Sequence, residues 1–304
     1  LLFLNKITQP RDLMINKKHI LIPFLILLCC SQWVYAQELV FTAIQNFEAD
    51  FNFPTDITGN ENGDVFVLDA MNDRVVVIKK NGEVSEIKPQ RDTFYKAVGL
   101  AFIDGELWIA DTPRSRLLKL KMDGRISEVI SLGHGTEPVD LVAIGENKII
   151  TDRMNHTVTV LDGSHKEKYY WGKRGNAVGE FINPGFLAVG PENRLIIGDI
   201  LNRRVMSYSQ SGRFPTSIVK PGVQRGQIFR PKGVALDSKN RVWVADGYTG
   251  AIQAFSVSGK FLGVATVEGQ TLGLSAPMGL WVDQKDQLWV VESYSNKVSV
   301  WRTQ

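Results

Sequence analysis

One pattern recurs six times along the chain: a short apolar strand, an acidic residue, a polar turn, a second apolar strand and, in the first five copies, a glycine turn. The copies read VFVLDAMNDRVVVI, LWIADTPRSRLLKL, IITDRMNHTVTV, LIIGDILNRRVMSY, VWVADGYTGAIQAF and LWVVESYSNKVSVW, with the acidic anchor at Asp69, Asp111, Asp152, Asp199, Asp246 and Glu292. Successive anchors lie 42, 41, 47, 47 and 46 residues apart. That period is too long for a hairpin and matches a four-stranded propeller blade. The expected fold is all-β, a six-bladed propeller of four-stranded antiparallel blades.

Each copy is rich in Val, Ile, Leu, Trp and Phe over four to six positions, and Gly, Asp and Asn punctuate it, which is the signature of short strands and tight turns. A further strand precedes each copy, as in Pro54-Thr55-Asp56-Ile57, Pro138-Val139-Asp140-Leu141 and Pro277-Met278-Gly279-Leu280. Proline is tolerable at the first residue of a strand, where no ladder donor is lost. A fourth strand follows the glycine turns at Gly82, Gly124, Gly163, Gly212 and Gly259. The sixth copy reaches Trp301 with three residues remaining, so its blade lacks a fourth strand of its own. The apolar stretch Leu39 to Ile44, which precedes the first copy, is expected to pair there as an N-terminal strand completing the last blade and hiding an open sheet edge.

The first 36 residues read differently. Asn16-Lys17-Lys18, the apolar run Ile20 to Cys30 and Val34-Tyr35-Ala36 have the layout of a secretory signal, with Met14 as the natural start and upstream residues before it. Residues 1–36 are therefore expected to be leader and 37–304 a single propeller domain, periplasmic or secreted. The apolar run is shorter than the ~20 residues a membrane-spanning helix needs. Both cysteines, Cys29 and Cys30, fall in the leader, which leaves the expected domain no disulfide or thiolate metal site. The leader also carries four of the 35 basic and one of the 32 acidic residues, so the remainder balances at 31 against 31. A neutral chain is a poor general binder of nucleic acid.

The repeats resemble the NHL repeat family. The shared pattern is a Pro-x-Gly strand start, an apolar strand ending in Ala-Asp, then Asn-x-Arg and an apolar strand. It is carried by Asp69-x-x-Asn72-x-Arg74, Asp199-x-x-Asn202-x-Arg204 and Val244-Ala245-Asp246. The linkers Gly175 to Phe181 and Gly222 to Phe229 look like the glycine-rich, Gln/Glu-Phe loops that join blades in that family. The resemblance implies a six-bladed propeller over residues 39 to 302 and says little about chemistry, because the fold hosts many functions.

Each candidate site also has a structural role open to it. An Asp entering a turn accepts hydrogen bonds from nearby amides, and the Asn and Arg that follow complete the network, so the six anchors are expected to organise turns rather than bind cations. The turns also carry Arg74, Arg114, Arg116, Arg153, His156, Arg203, Arg204 and Lys297, a basic rim able to recognise carboxylate, phosphate or an acidic surface. Tyr170 and Trp171 in the linker after the third blade add aromatic bulk suited to a partner contact. Asp56 and Asp140 stand where three other first strands have glycine (Gly99, Gly233 and Gly279) and the remaining one has Phe186, and they are weak candidates for a divalent metal or a sugar. His134, His156 and His165 fall in linkers and turns, which does not suggest a three-histidine zinc layer. No catalytic constellation emerges, and no cofactor is expected. The function read from the sequence is an exported, non-catalytic binding or scaffolding module for an envelope or extracellular protein or carbohydrate. The alternative is a metal-dependent, lactonase-like hydrolase or lyase with its site at the channel mouth.

Overall fold

The computed structural model describes residues 39–47, 49–267, 270–271 and 273–303. The expected leader and both cysteines lie outside the described residues. Six antiparallel blades follow one another along the chain, each running from an inner strand outward. The first consists of Pro54–Gly59, Val65–Asp69, Arg74–Ile78 and Val84–Ile87. Inner strands of the other five are Gly99–Ile103, Pro138–Ile144, Pro184–Val189, Pro231–Leu236 and Pro277–Val282. Among the described residues the only helical pieces are two three-residue 3-10 turns, Thr112–Arg114 and Pro191–Asn193.

The sixth blade is closed from the other end of the chain. Leu39–Phe47 pairs antiparallel with Lys297–Thr303, with Phe41 opposite Thr303 and Phe47 opposite Val298. The strand runs three residues longer than the stretch read from the sequence. Its start also pairs in parallel with Ala265 and Thr266 of the fifth blade, so the outer strands of the fifth and sixth blades are joined as well. Phe41 is buried and meets Trp243 edge-on at 5.2 Å, a burial worth about 2 kcal/mol.

The cores lie between blades. Phe66 and Leu68 of the first blade share one apolar cluster with Leu107, Ile109 and Leu118 of the second, and equivalent clusters recur around the ring. Both faces of the middle strands are thereby covered, which is why they read as continuous apolar runs rather than as alternation. Strands begin with proline in five of the six inner positions, and in all five the register slips immediately afterwards. In the second blade, where Ala97 replaces proline, pairing is regular from Gly99 onward. Such bulges turn side chains off the regular pleat, here beside the central channel. Inner strands also approach closely: a Cβ on Gly233 would lie 2.2 Å from the Met278 carbonyl oxygen, and one on Gly279 would lie 2.7 Å from Cα of Asp56. Those two positions tolerate only glycine.

Candidate functional site

The anchor carboxylates are buried in every blade. Each accepts a hydrogen bond from a backbone amide of the linker that precedes its own blade: Asn52, Tyr95, Glu137, Ile182, Phe229 with Arg230, and Ser275. They tie linker to blade, a longer-range role than the local turn bonding expected, which appears only in the third and fifth blades. Asn72, Asn155 and Asn202 donate to the second carboxylate oxygen as anticipated.

The predicted basic rim divides. Arg74, Arg116 and Arg204 direct Nε to Asp69, Asp111 and Asp199 at 2.7, 2.7 and 3.0 Å, and their remaining nitrogens bind linker carbonyls such as those of Ala49, Thr93 and Glu180. These three are internal struts. Arg114 bonds the Thr93 carbonyl, and Lys297 lies 3.4 Å from Glu292. His156 accepts the Asn183 amide through Nδ1 at 3.1 Å. Arg203 is exposed and stacks 4.2 Å above the Phe229 ring, and Arg153 reaches Glu137 at 2.6 Å beside the channel mouth. Trp171 finishes the outer strand of the third blade, packs on Phe181 and Tyr208 and donates to the Gln210 carbonyl, so it is a core side chain; Tyr170 is exposed.

Two cavities occupy the channel, and buried Phe186 borders both. The larger, about 530 Å³, is walled by the ends of the inner strands and contains Asp56 and Asp140. Each carboxylate stitches neighbouring blades: Oδ2 of Asp56 accepts the Leu100 amide at 2.7 Å, and Oδ2 of Asp140 accepts the Leu187 amide at 2.9 Å. Burial raises the pKa of both, with Asp140 repulsion adding to the rise in Asp56; Asp140 is pushed up to about 7 against the lowering effect of the Leu187 and Leu141 amides. A divalent metal fits poorly here. Amides already engage both carboxylates, burial favours their protonated forms, and no group of three His, Cys, Asp or Glu suited to a metal occurs among the described residues. Asn60, which follows the inner strand of the first blade, donates to Asp64 in its own turn. No histidine lines either channel cavity.

The second cavity, about 350 Å³, opens among the turns that follow the anchors. Lys96, Arg153, Arg230 and Lys232 line it, and none of its lining residues is a carboxylate. Of these four only Arg153 was singled out from the sequence. Lys232 had a readable signal: it is the sole charge in a column otherwise filled by Thr55, Val98, Val139, Gly185 and Met278. Around this mouth the residue two places after each anchor is apolar and exposed in all six blades: Met71, Pro113, Met154, Leu201, Tyr248 and Tyr294. The fixed spacing from the anchor makes that ring legible in the repeat, although neighbouring charged turn positions are the more prominent signal.

The NHL repeat model matches residues 230–255. No curated protein matches the chain in sequence. Among solved structures it is similar to streptogramin B lyase, at 15% identity and TM-score 0.65 over 87% of this chain and 98% of that one. It is also similar to a catalytically inactive histidine-to-alanine variant of virginiamycin B lyase from Staphylococcus aureus with quinupristin, at 17% identity and TM-score 0.62 over 86% and 85%. A putative gluconolactonase matches at 14% identity and TM-score 0.64 over 88% and 92%. Similarity at these identities speaks for the fold. The chain is therefore a six-bladed β-propeller that carries a recognisable NHL repeat at residues 230–255.

Proposed function

We propose that this propeller is an exported, non-catalytic binding module that docks a protein partner on the face formed by the post-anchor turns. One observation carries the reading: all six blades place an exposed apolar side chain at the same turn position, and exposed Lys96, Arg114, Arg203 and Arg230 stand beside that ring. Two of the tyrosines are backed by rings, Tyr248 on Phe229 at 4.4 Å and Tyr294 near Phe53 at 5.9 Å. Aromatic and arginine side chains presented together are typical of interface hot spots. The cations select a partner that carries carboxylates among apolar side chains.

The test is capture of envelope and extracellular proteins on the immobilised chain, compared with a Leu201→Glu/Tyr248→Glu variant and with Val129→Glu on the outer strand of the second blade. A specific partner should disappear with the double variant and persist with Val129→Glu. Equal capture by all three, or retention of glycans without protein, would reject the docking face.

The similarity to lyases and to a putative gluconolactonase supports a second reading, a hydrolase or lyase acting at the channel mouth. The inactive lyase variant lacks a histidine, whereas no histidine lines the channel of this chain. Turnover of a lactone or of a streptogramin that disappears in Asp140→Ala, together with stoichiometric retained calcium or zinc, would favour this reading over docking.

A further inference from the structure

We propose that the 350 Å³ funnel is a binding site for a small organic anion with an apolar body, centred on Lys232. The site adjoins the apolar ring on which docking rests and shares Met71, Tyr294, Lys96 and Arg230 with that face, but Leu201 and Tyr248 lie outside it. Four cationic side chains and no carboxylate line it. Among the described residues the Lys232 and Arg230 side chains have no ion-pair partner and no hydrogen bond, so neither is neutralised from within the protein. Lys232 is half-buried, and its alkyl stem lies along Gly247, where a Cβ would come within 2.9 Å of Cγ. Gly247 thus leaves the trough in which the lysine rests. Burial, with Arg230 and Arg153 nearby, lowers the Lys232 pKa, which measures how poorly its charge is compensated.

Arg153 is paired with Glu137, but Lys232 and Arg230 are uncompensated; holding these charges together in a partly desolvated funnel is costly, and an anion bound between them lowers that cost. The remaining wall fixes the ligand class further. Phe53, Val139, Phe186, Ile200, Met278 and Tyr294 supply an apolar surface that inorganic phosphate would not use. Asn183 also lines the funnel, with its Oδ1 buried without a donor. The volume is that of an ordinary small-molecule pocket. Asp56 and Asp140 line only the other cavity, so they are not part of this wall.

Calorimetry at pH 7 on the whole protein tests this with 3-phenylpropionate, phenyl phosphate, neutral 3-phenylpropanamide and inorganic phosphate. At least one aromatic anion should bind, with the neutral amide and inorganic phosphate each at least tenfold weaker. Lys232→Met borrows the residue the sixth blade uses in this column and should keep the melting temperature while weakening the aromatic anion at least tenfold. Whichever of carboxylate and phosphate binds tighter identifies the headgroup. Binding of neither anion at millimolar concentration, equal binding of the amide, equal binding of inorganic phosphate, or indifference to Lys232→Met in a folded variant would each overturn the proposal. Leu201→Glu/Tyr248→Glu should leave anion binding unchanged, which separates failure of the funnel from failure of the docking face.

Discussion

Asp199, at a turn of the fourth blade, and Asp140, on the inner strand of the third, are both buried carboxylates held by backbone amides. Asp199 also meets the Arg204 guanidinium and the Asn202 amide, whereas no cation lies within ion-pair distance of Asp140 among the described residues. Burial raises the pKa of each; in Asp199 the asparagine and arginine act against the rise, while Asp140 reaches about 7. The first is therefore a strut held by its arginine and asparagine, and the second is a carboxyl poised near neutrality. Position in the repeat, not burial alone, decides which behaviour a carboxylate shows.

The largest expected effect comes from the strut. Asp199→Ala leaves Arg204 without its buried partner and releases the Ile182 amide, and should cost about 3–5 kcal/mol, a fall in Tm on the order of 10 °C. Thermal and urea melts that match wild type would show the anchors to be dispensable and erase the contrast.

Next is the pH response of the channel carboxyl. Because folding raises its pKa from 3.8 to about 7, Asp140 contributes stability that is fully present below pH 3.8 and is lost as pH rises through 7. Between pH 5.5 and 8 that loss should be about 2 kcal/mol. Asp140→Asn should flatten the decline over the same range; an unchanged slope would place the titration elsewhere.

A smaller effect tests whether the two channel carboxyls sense one another. Asp140→Asn keeps an acceptor for the Leu187 amide but removes the charge that adds to the rise in Asp56, so Asp56 should titrate below its wild-type midpoint in a carboxyl NMR titration. No movement would mean that burial alone sets its pKa. The smallest concerns the sixth anchor, where Lys297 is 30% exposed and stands 3.4 Å from Glu292. Lys297→Ala should cost less than about 1 kcal/mol; a loss comparable with that of Asp199→Ala would show all six struts to be equivalent.

Much of this was legible beforehand. The six anchors, the four-stranded blades and the closing strand follow from spacing and patterning, since a blade repeats its hydrogen-bonding and packing needs at a fixed interval. The proline-led inner strands were legible as well, but their bulges were not, because a register slip depends on the partner strand. Arg74, Arg116 and Arg204 looked like a surface rim, since sequence shows a charge and not the linker carbonyls that surround it. Trp171 looked like a contact residue for the same reason, until Phe181 and Tyr208 of the neighbouring packing unit covered it.

The sequence by itself determined the ring: six anchors, six strand pairs and an edge that an N-terminal strand could close, all local patterns repeated. Only the tertiary structure decided where the exceptions meet. Asp56 and Asp140 lie 84 residues apart in sequence yet share one cavity; Lys96, Arg153 and the Arg230, Lys232 pair belong to three blades yet line one funnel. A closed ring brings every inner strand to a common axis, so residues distant along the chain become neighbours there, and no periodicity records which of them face each other.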